Sequence, residues 1–336
     1  MPSSHDTSLT TSNNNAQCGT AFVVPLRHPQ SANNYQAVLD LLKSTVSSLL
    51  RQSDSDIKII IACNQLPDLG IADPRLYFIE VPFDNPTKEK GAKVPLENLL
   101  VDKGSKLVVA CTAALSFNPH YIFFIDADDW AHQDLSKALK KKASIATAPE
   151  VLYVNQGFLV NISTWRYRKV YGLNRYCGST YAYHNSFIKR HLSVILYRFA
   201  FIQDHLQRSD TLSRNDFETP IPKQDTLLNC LERGFFYNVF ADHGWTYFYL
   251  VNSCELKPKA LKLSAICWVV DNGENHSATH LSNRACPFSD TVRKQYIDVD
   301  LALPEARPIA RIRSFLSARR SQLTWFISRL RGINLY

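Results

Sequence analysis

The chain has 336 residues, 45% of them apolar and 20% charged, with 11 Gly and 16 Pro. That composition suits one large α/β domain or two smaller ones, and it excludes a fibrous, low-complexity or disordered protein. The formal net charge of +8 is mostly local, because Glu305–Tyr336 holds seven Arg against one Glu; a near-neutral body with a basic tail gives no groove for a phosphate backbone, and no nucleic acid partner is expected.

Residues 1–17 are small and polar, with Asn13, Asn14 and Asn15 in a row, and read as a disordered N-terminus. They contain no apolar signal core, and no stretch of the chain approaches the roughly 20 apolar residues that span a bilayer. The eight cysteines form no C-x-x-C pair, which argues against a zinc ribbon or a redox motif. A reduced, cytoplasmic compartment is therefore expected.

The first element is Thr20–Leu26, a short run of β-formers expected as a buried strand. A helix follows, with Val38, Leu41, Leu42, Val46, Leu49 and Leu50 at three- and four-residue spacing and Asn33 or Asn34 as its cap. Strands are expected at Ile57–Ala62 and Leu76–Val81. Asp102–Lys106 then opens a helix that Asn118-Pro119 ends, and Tyr121–Ile125 is a fourth strand. Beyond it the pattern predicts a short helix over His132–Ala143 and strands at Val151–Asn155 and Phe158–Asn161. A helix over Leu227–Arg233 should stop at Gly234. Phe235–Phe240, Tyr247–Val251 and Ala265–Val270 are apolar, β-rich runs. Strands alternating with helices predict an α/β fold with a mostly parallel sheet, whose ligands bind beyond the carboxyl ends of the strands.

That rule directs attention to four segments: the one after Leu26, the one after Ala62, Asp102–Lys106, and Asp126-Ala127-Asp128-Asp129. D-x-D occurs three times, at Asp54/Asp56, Asp126/Asp128 and Asp298/Asp300, but only the middle copy ends an apolar strand. Three carboxylates within four residues repel one another, and a divalent, oxygen-preferring ion such as Mn²⁺ or Mg²⁺ would offset them. The bland alternative is a solvated turn that caps the next helix.

These features resemble the GT-A glycosyltransferases, particularly the inverting, nucleotide-sugar-dependent type grouped as family 2. The opening V-V-P-L-R is similar to their first strand and base-contacting loop, Asp102-Lys103-Gly104-Ser105-Lys106 to their Asn/Asp-x-Gly segment, and Asp126–Asp128 to their strand-terminal metal motif. The resemblance covers roughly residues 19–280. It implies a Rossmann-like nucleotide-sugar half (18–130), an acceptor half (131–300), and transfer of a sugar to a hydroxyl of a glycan or lipid-linked acceptor. It also implies Asp126 and Asp128 on a divalent metal, with Asp126 otherwise on ribose, and Asp129 facing the donor sugar or orienting a ligand. Pro25, Arg27, Asn64, Asp102 and Lys106 join the nucleotide-sugar set, with Lys103 a further diphosphate contact. Asp225, followed by Leu227, Leu228, Leu231 and Gly234, is similar to the helix that carries the family's catalytic base, although Gln224 stands where a paired acid is usual and the Gln/Arg-x-x-Arg-Trp signature is absent.

Asp204, beside His205, is a second base candidate, and the two stay unranked. His276, in Asn272-Gly273-Glu274-Asn275-His276-Ser277, follows an apolar run and is a candidate third metal ligand. Tyr176–Thr180 reads as a tight loop near the donor sugar or acceptor. In the tail, Ile312, Phe315, Leu316, Leu323, Phe326, Ile327 and Leu330 share one helical face among arginines. This basic amphipathic pattern (305–336) suits an anionic membrane surface, with a packed terminal helix as the alternative. Two other functions compete. A nucleotidyltransferase acting on sugar phosphates should carry a Gly-rich loop after its first strand, and Leu26–Gln30 has no Gly. A non-catalytic sugar-nucleotide- or membrane-binding module would not need the acid cluster.

Overall fold

The computed structural model describes residues 18–162, 165–193, 202, 205–206, 209–213, 224–274 and 285–297. Among them, β1 (Thr20–Pro25), β2 (Ile57–Cys63), β3 (Leu76–Glu80) and β4 (Tyr121–Phe124) form the parallel part of a mixed sheet. β2 and β4 flank β1, and β3 lies outside β2. The strand order thus runs one way from β1 to β3 and then jumps to the far side of β1, as in a Rossmann-like α/β fold. The crevice between the carboxyl ends of β1 and β4 lies at this reversal, where such sheets bind ligands.

The strands are buried on both faces, which explains their continuous apolar runs. Helix α1 (Tyr35–Leu50) is capped by Asn34, whose side chain accepts from the Ala37 N–H, and packs Val38, Leu42, Val46 and Leu49 on one face of the sheet. Helix α2 (Leu96–Ala114) packs on the other. It starts at Leu96, six residues before the expected opening. Asp102–Lys106 therefore lies inside the helix, and Asp102 and Lys106, four apart, share a face. Lys106 is fully buried; its Nζ donates to Asp102 Oδ2 at 2.8 Å and to the Leu26 carbonyl at 2.7 Å, tying α2 to the end of β1.

The second half of the sheet is mixed. β5 (Trp130–Ala131) leads into α3 (Leu135–Ala143). β6 (Val151–Asn161) is one strand where two were expected. The apparent break at Gln156-Gly157 is a close approach: a Cβ on Gly157 would lie 2.3 Å from the Ile266 carbonyl oxygen. β7 (Arg166–Tyr171) and β8 (Tyr181–His184), neither of them expected, pair antiparallel with β6, and β8 joins β6 to β4. Helix α4 (Asn185–His191) follows. The short strand β9 (Thr211–Leu212) pairs with β3, β10 (Lys259–Val270) runs parallel to β6, and β11 (Cys286–Pro287) pairs with β7.

Two of the β-rich runs are helical. Glu232 caps a new helical turn through the N–H groups of Gly234 and Phe235, so Gly234 begins a helix instead of ending one. The turn continues as a π-helix over Phe236–Ala241 packed on α2, and Thr246–Asn252 is an α-helix. The preceding helix, Gln224–Asn229 among the described residues, ends before the expected Arg233. All eight cysteines are free thiols, and among the described residues no helix is long and apolar enough to cross a membrane. The N-terminal segment 1–17 and the basic tail 305–336 lie outside the described residues.

The Lys106 contacts carry a testable cost. Lys106→Met keeps the volume but leaves the buried Asp102 side chain without its partner, so unfolding in urea should show a loss of about 3–5 kcal/mol. Replacing both residues, with Asp102→Leu added, should recover most of it.

Candidate active site

β4 ends at Phe124, and the next residues turn sharply, with the Asp129 N–H donating to the Asp126 carbonyl at 3.2 Å. The three carboxylates of this turn go in different directions and meet different partners. Asp129 is buried. Its Oδ2 accepts from Ser179 Oγ at 2.5 Å and Cys177 Sγ at 3.3 Å, and its Oδ1 accepts from the Val269 N–H at 2.9 Å. Ser179 also accepts the Asp126 N–H at 2.8 Å, so one hydroxyl holds both ends of the turn.

Asp126 faces a cleft and pairs with Lys103 of α2, with Nζ 2.5 Å from Oδ1. Burial alone would lower the Lys103 pKa; the Asp126 charge and hydrogen bond overcome it, and Lys103 is held above its ordinary value. Asp128 is half-buried, and its Oδ2 accepts from Asn272 Nδ2 at 2.8 Å. Burial, with the Asp126 charge beside it, pushes Asp128 up to about 6. Asp129 is raised well above the carboxylate range, by burial first and then by its two acidic neighbours.

The cleft has a volume of about 250 Å³. Pro25, Leu26 and Arg27 form the β1 side, Asp126–Asp129 the β4 side and Asp102, Lys103 and Lys106 the α2 side, while Trp268, Asn272 and Glu274 close it from the end of β10. Arg27 crosses the rim. Its Nη2 donates to the Gly91 carbonyl at 2.7 Å, and Nη1 donates to the Glu274 carbonyl. The Glu274 carboxylate in turn accepts the N–H groups of Asn33 at 3.0 Å and Asn34 at 2.8 Å, ahead of α1. Asp102 Oδ1 and Arg27 Nε are buried without a hydrogen-bond partner.

The fold thus brings Pro25, Arg27, Asp102, Lys106, Asp126, Asp128 and Asp129 to one cleft, and leaves two expected residues out of it. Asn64 is buried in the fold, donating to the Phe83 carbonyl at 2.8 Å, because β2 ends one strand away from the crevice. Asp225 is exposed and lines no part of the cleft; its neighbour Gln224 is the residue that faces α2, bonding Ser105 Oγ at 3.1 Å. Lys106 lines the cleft wall but is 0% exposed, with two of its three N–H donors given to Asp102 and the Leu26 carbonyl. Asp129 likewise supports the turn from beneath. Asp204 and His276 lie outside the described residues.

The site also contains residues that pattern reading did not assign. Gly178, in the Tyr176–Thr180 loop, sits against the Lys103–Asp126 pair. His243 lines the cleft; burial, with the Lys103 charge beside it, keeps its imidazole below the ordinary pKa, and its Nδ1 is buried without a partner. Ser179 belongs to the Tyr176–Thr180 loop expected near the donor sugar or acceptor, and Asn272 to the segment singled out for His276, but neither was assigned its contact with the acid turn. Among the described residues no group of three or more His, Cys, Asp or Glu side chains is arranged to hold a metal ion. Compared with protein-family models and with curated proteins, the chain matches none.

The raised Asp128 predicts a pH-dependent stability. The folded state holds a proton to about pH 6, whereas the unfolded chain releases it near pH 4, so stability falls as pH rises through that window and the cost is complete above it. Asp128→Asn removes the cost and should melt about 2–5 °C higher than the parent near pH 7.5, with the two melting curves converging below about pH 4.

Proposed function

We propose that this protein is a metal-dependent glycosyltransferase of GT-A type. It would move a sugar, with inversion, from a nucleotide-sugar to a hydroxyl of a glycan or lipid-linked acceptor. The observation that carries the reading is the pair of strand-terminal carboxylates, Asp126 and Asp128, in a cleft at the β1/β4 strand reversal, with the Lys103 ammonium among them. Nucleotides bind such reversals through their phosphates.

The residues present fit a divalent ion. The donor set is hard oxygen, and the two carboxylates are matched by a single ammonium, that of Lys103, and one amide, that of Asn272. Asp126 and Asp128 would hold Mn²⁺ or Mg²⁺, which would stabilise the charge growing on the departing diphosphate. Asn272 fixes the Asp128 carboxylate, and Asp129, through Ser179 and Val269, fixes the turn that carries both acids. Asp225 is exposed, and His243 is the better-placed base. Its imidazole lines the cleft, burial favours the neutral form, and its Nδ1 has no partner in the fold; brought to the cleft surface, that nitrogen would accept the proton of an acceptor hydroxyl. The basic segment 305–336 would bring the enzyme to an anionic surface on the cytoplasmic side.

Turnover of a panel of nucleotide-sugars with Mn²⁺, read as donor hydrolysis and as transfer, tests the reading. Asp128→Asn should lose at least about a hundredfold in both, as expected when a preorganised electrostatic contact is removed. His243→Ala should bind donor normally and lose transfer by about 10²–10⁴. Asp54→Asn should behave as the parent, since Asp54 lies in a surface loop paired with Lys140 at 3.1 Å. Normal Mn²⁺-dependent turnover by Asp128→Asn would overturn the assignment.

A further inference from the structure

Of the three acids in the turn, only Asp126 is held by a charged side chain. Asp128 has the Asn272 amide, and Asp129 has a hydroxyl, a thiol and a backbone N–H. The Lys103–Asp126 pair is also the one that opens on the cleft, with side chains 19% and 28% exposed. Lys106, one turn further along α2, is sealed and serves the fold. The pair has a shaped seat: a Cβ on Gly178 would lie 2.4 Å from Lys103 Nζ and 2.7 Å from Asp126 Oδ2, so any other residue there would press on both groups.

An ammonium 2.5 Å from a carboxylate oxygen occupies the position a metal ion would take on that oxygen. Lysine is a point charge on a flexible four-carbon stem, so it can leave one anion for another without moving its helix. The charges of the cleft make that exchange conditional. Arg27 is matched by Glu274 and Lys106 by Asp102, which leaves Lys103 against Asp126 and Asp128. A divalent cation arriving alone must displace Lys103 from Asp126, and the carboxylate left nearest to the ammonium, Asp128, is one the cation itself would take. A diphosphate arriving alone meets two carboxylates. Arriving together, the diphosphate receives the ammonium and the cation receives Asp126.

We infer that Lys103 gates the metal site, holding Asp126 against a lone divalent cation and releasing it when a diphosphate draws the ammonium away. The inference rests on the reading of this cleft as a diphosphate site. It makes Lys103 a positioning residue for Asp126 and a binding residue for the diphosphate, and it makes cation and diphosphate cooperative ligands.

Calorimetric titration of the full chain tests it, with Mn²⁺ alone and inorganic pyrophosphate alone as probes and a melting curve for each variant. Lys103→Met should bind Mn²⁺ alone about tenfold more tightly than the parent and pyrophosphate about tenfold more weakly, within the usual range of coupling between sites. A merely structural role would move both affinities in the same direction. Asp126→Asn frees the ammonium instead, and should bind pyrophosphate more tightly and Mn²⁺ more weakly than the parent. Equal Mn²⁺ affinity in the parent and Lys103→Met, or parallel losses of both ligands, would overturn the gate while leaving the diphosphate site standing. If neither the parent nor either variant binds Mn²⁺ or pyrophosphate, the gate and the proposed function fall together.

Discussion

Everything around the cleft answers one electrostatic problem. The chain ends a fully buried strand with three carboxylates in four residues, and desolvation makes each ionised acid costly unless something offsets it. The fold gives each acid its own answer. Asp129 is buried and hydrogen-bonded on both oxygens, Asp128 receives one amide, and Asp126 receives an ammonium. Ser179 binds the first and last of them into a single unit, accepting from the Asp126 backbone and donating to the Asp129 side chain. The antiparallel strand β8 follows directly on Ser179-Thr180 and pairs with β4, so the strand that bears the acids also supports the loop that organises them.

The same economy governs the other walls. α2 supplies two lysines a helical turn apart with different tasks: Lys106 anchors the helix to the end of β1, and Lys103 reaches the cleft and pairs with Asp126. The end of β10 returns to the crevice, where Asn272 meets Asp128 and Glu274 accepts the N–H groups ahead of α1. Arg27 then joins that strap to Gly91 across the rim. Elements far apart in sequence are thereby fixed around one space, as a pre-organised site requires.

The parallel half of the sheet was legible because buried parallel strands read as uninterrupted apolar runs: β1 to β4 and the Asn34 cap of α1 are where the pattern puts them. The acid turn was legible for the same reason, since an apolar strand that stops on three acids stands out. The mixed half was not. Phe235–Phe240 has strand-like composition, but its aromatics are buried as a helical face against α2, and tertiary packing overrides propensity there. Gln156-Gly157 looks like a break and is a close strand approach. The start of α2 at Leu96 puts Lys103 and Lys106, expected at the opening of a helix, inside it and on separate tasks. The supporting residues Ser179, Asn272 and His243 act through partners 50 or more positions away. No local pattern announces such contacts. Asp225, conversely, sits on a helix as expected, but the helix turns Gln224 toward α2.

The central claim is that this cleft binds a nucleoside diphosphate-sugar together with a divalent cation. The most direct measurement is a thermal-shift panel of nucleoside diphosphate-sugars against the unmodified chain, each with Mn²⁺ and with chelator. A ligand at 100 times its dissociation constant stabilises the folded state by about 2.7 kcal/mol. The account predicts that at least one member raises the melting temperature by several degrees with Mn²⁺ and by far less with chelator. A panel in which no nucleoside diphosphate-sugar moves the melting temperature, with or without Mn²⁺, would contradict it.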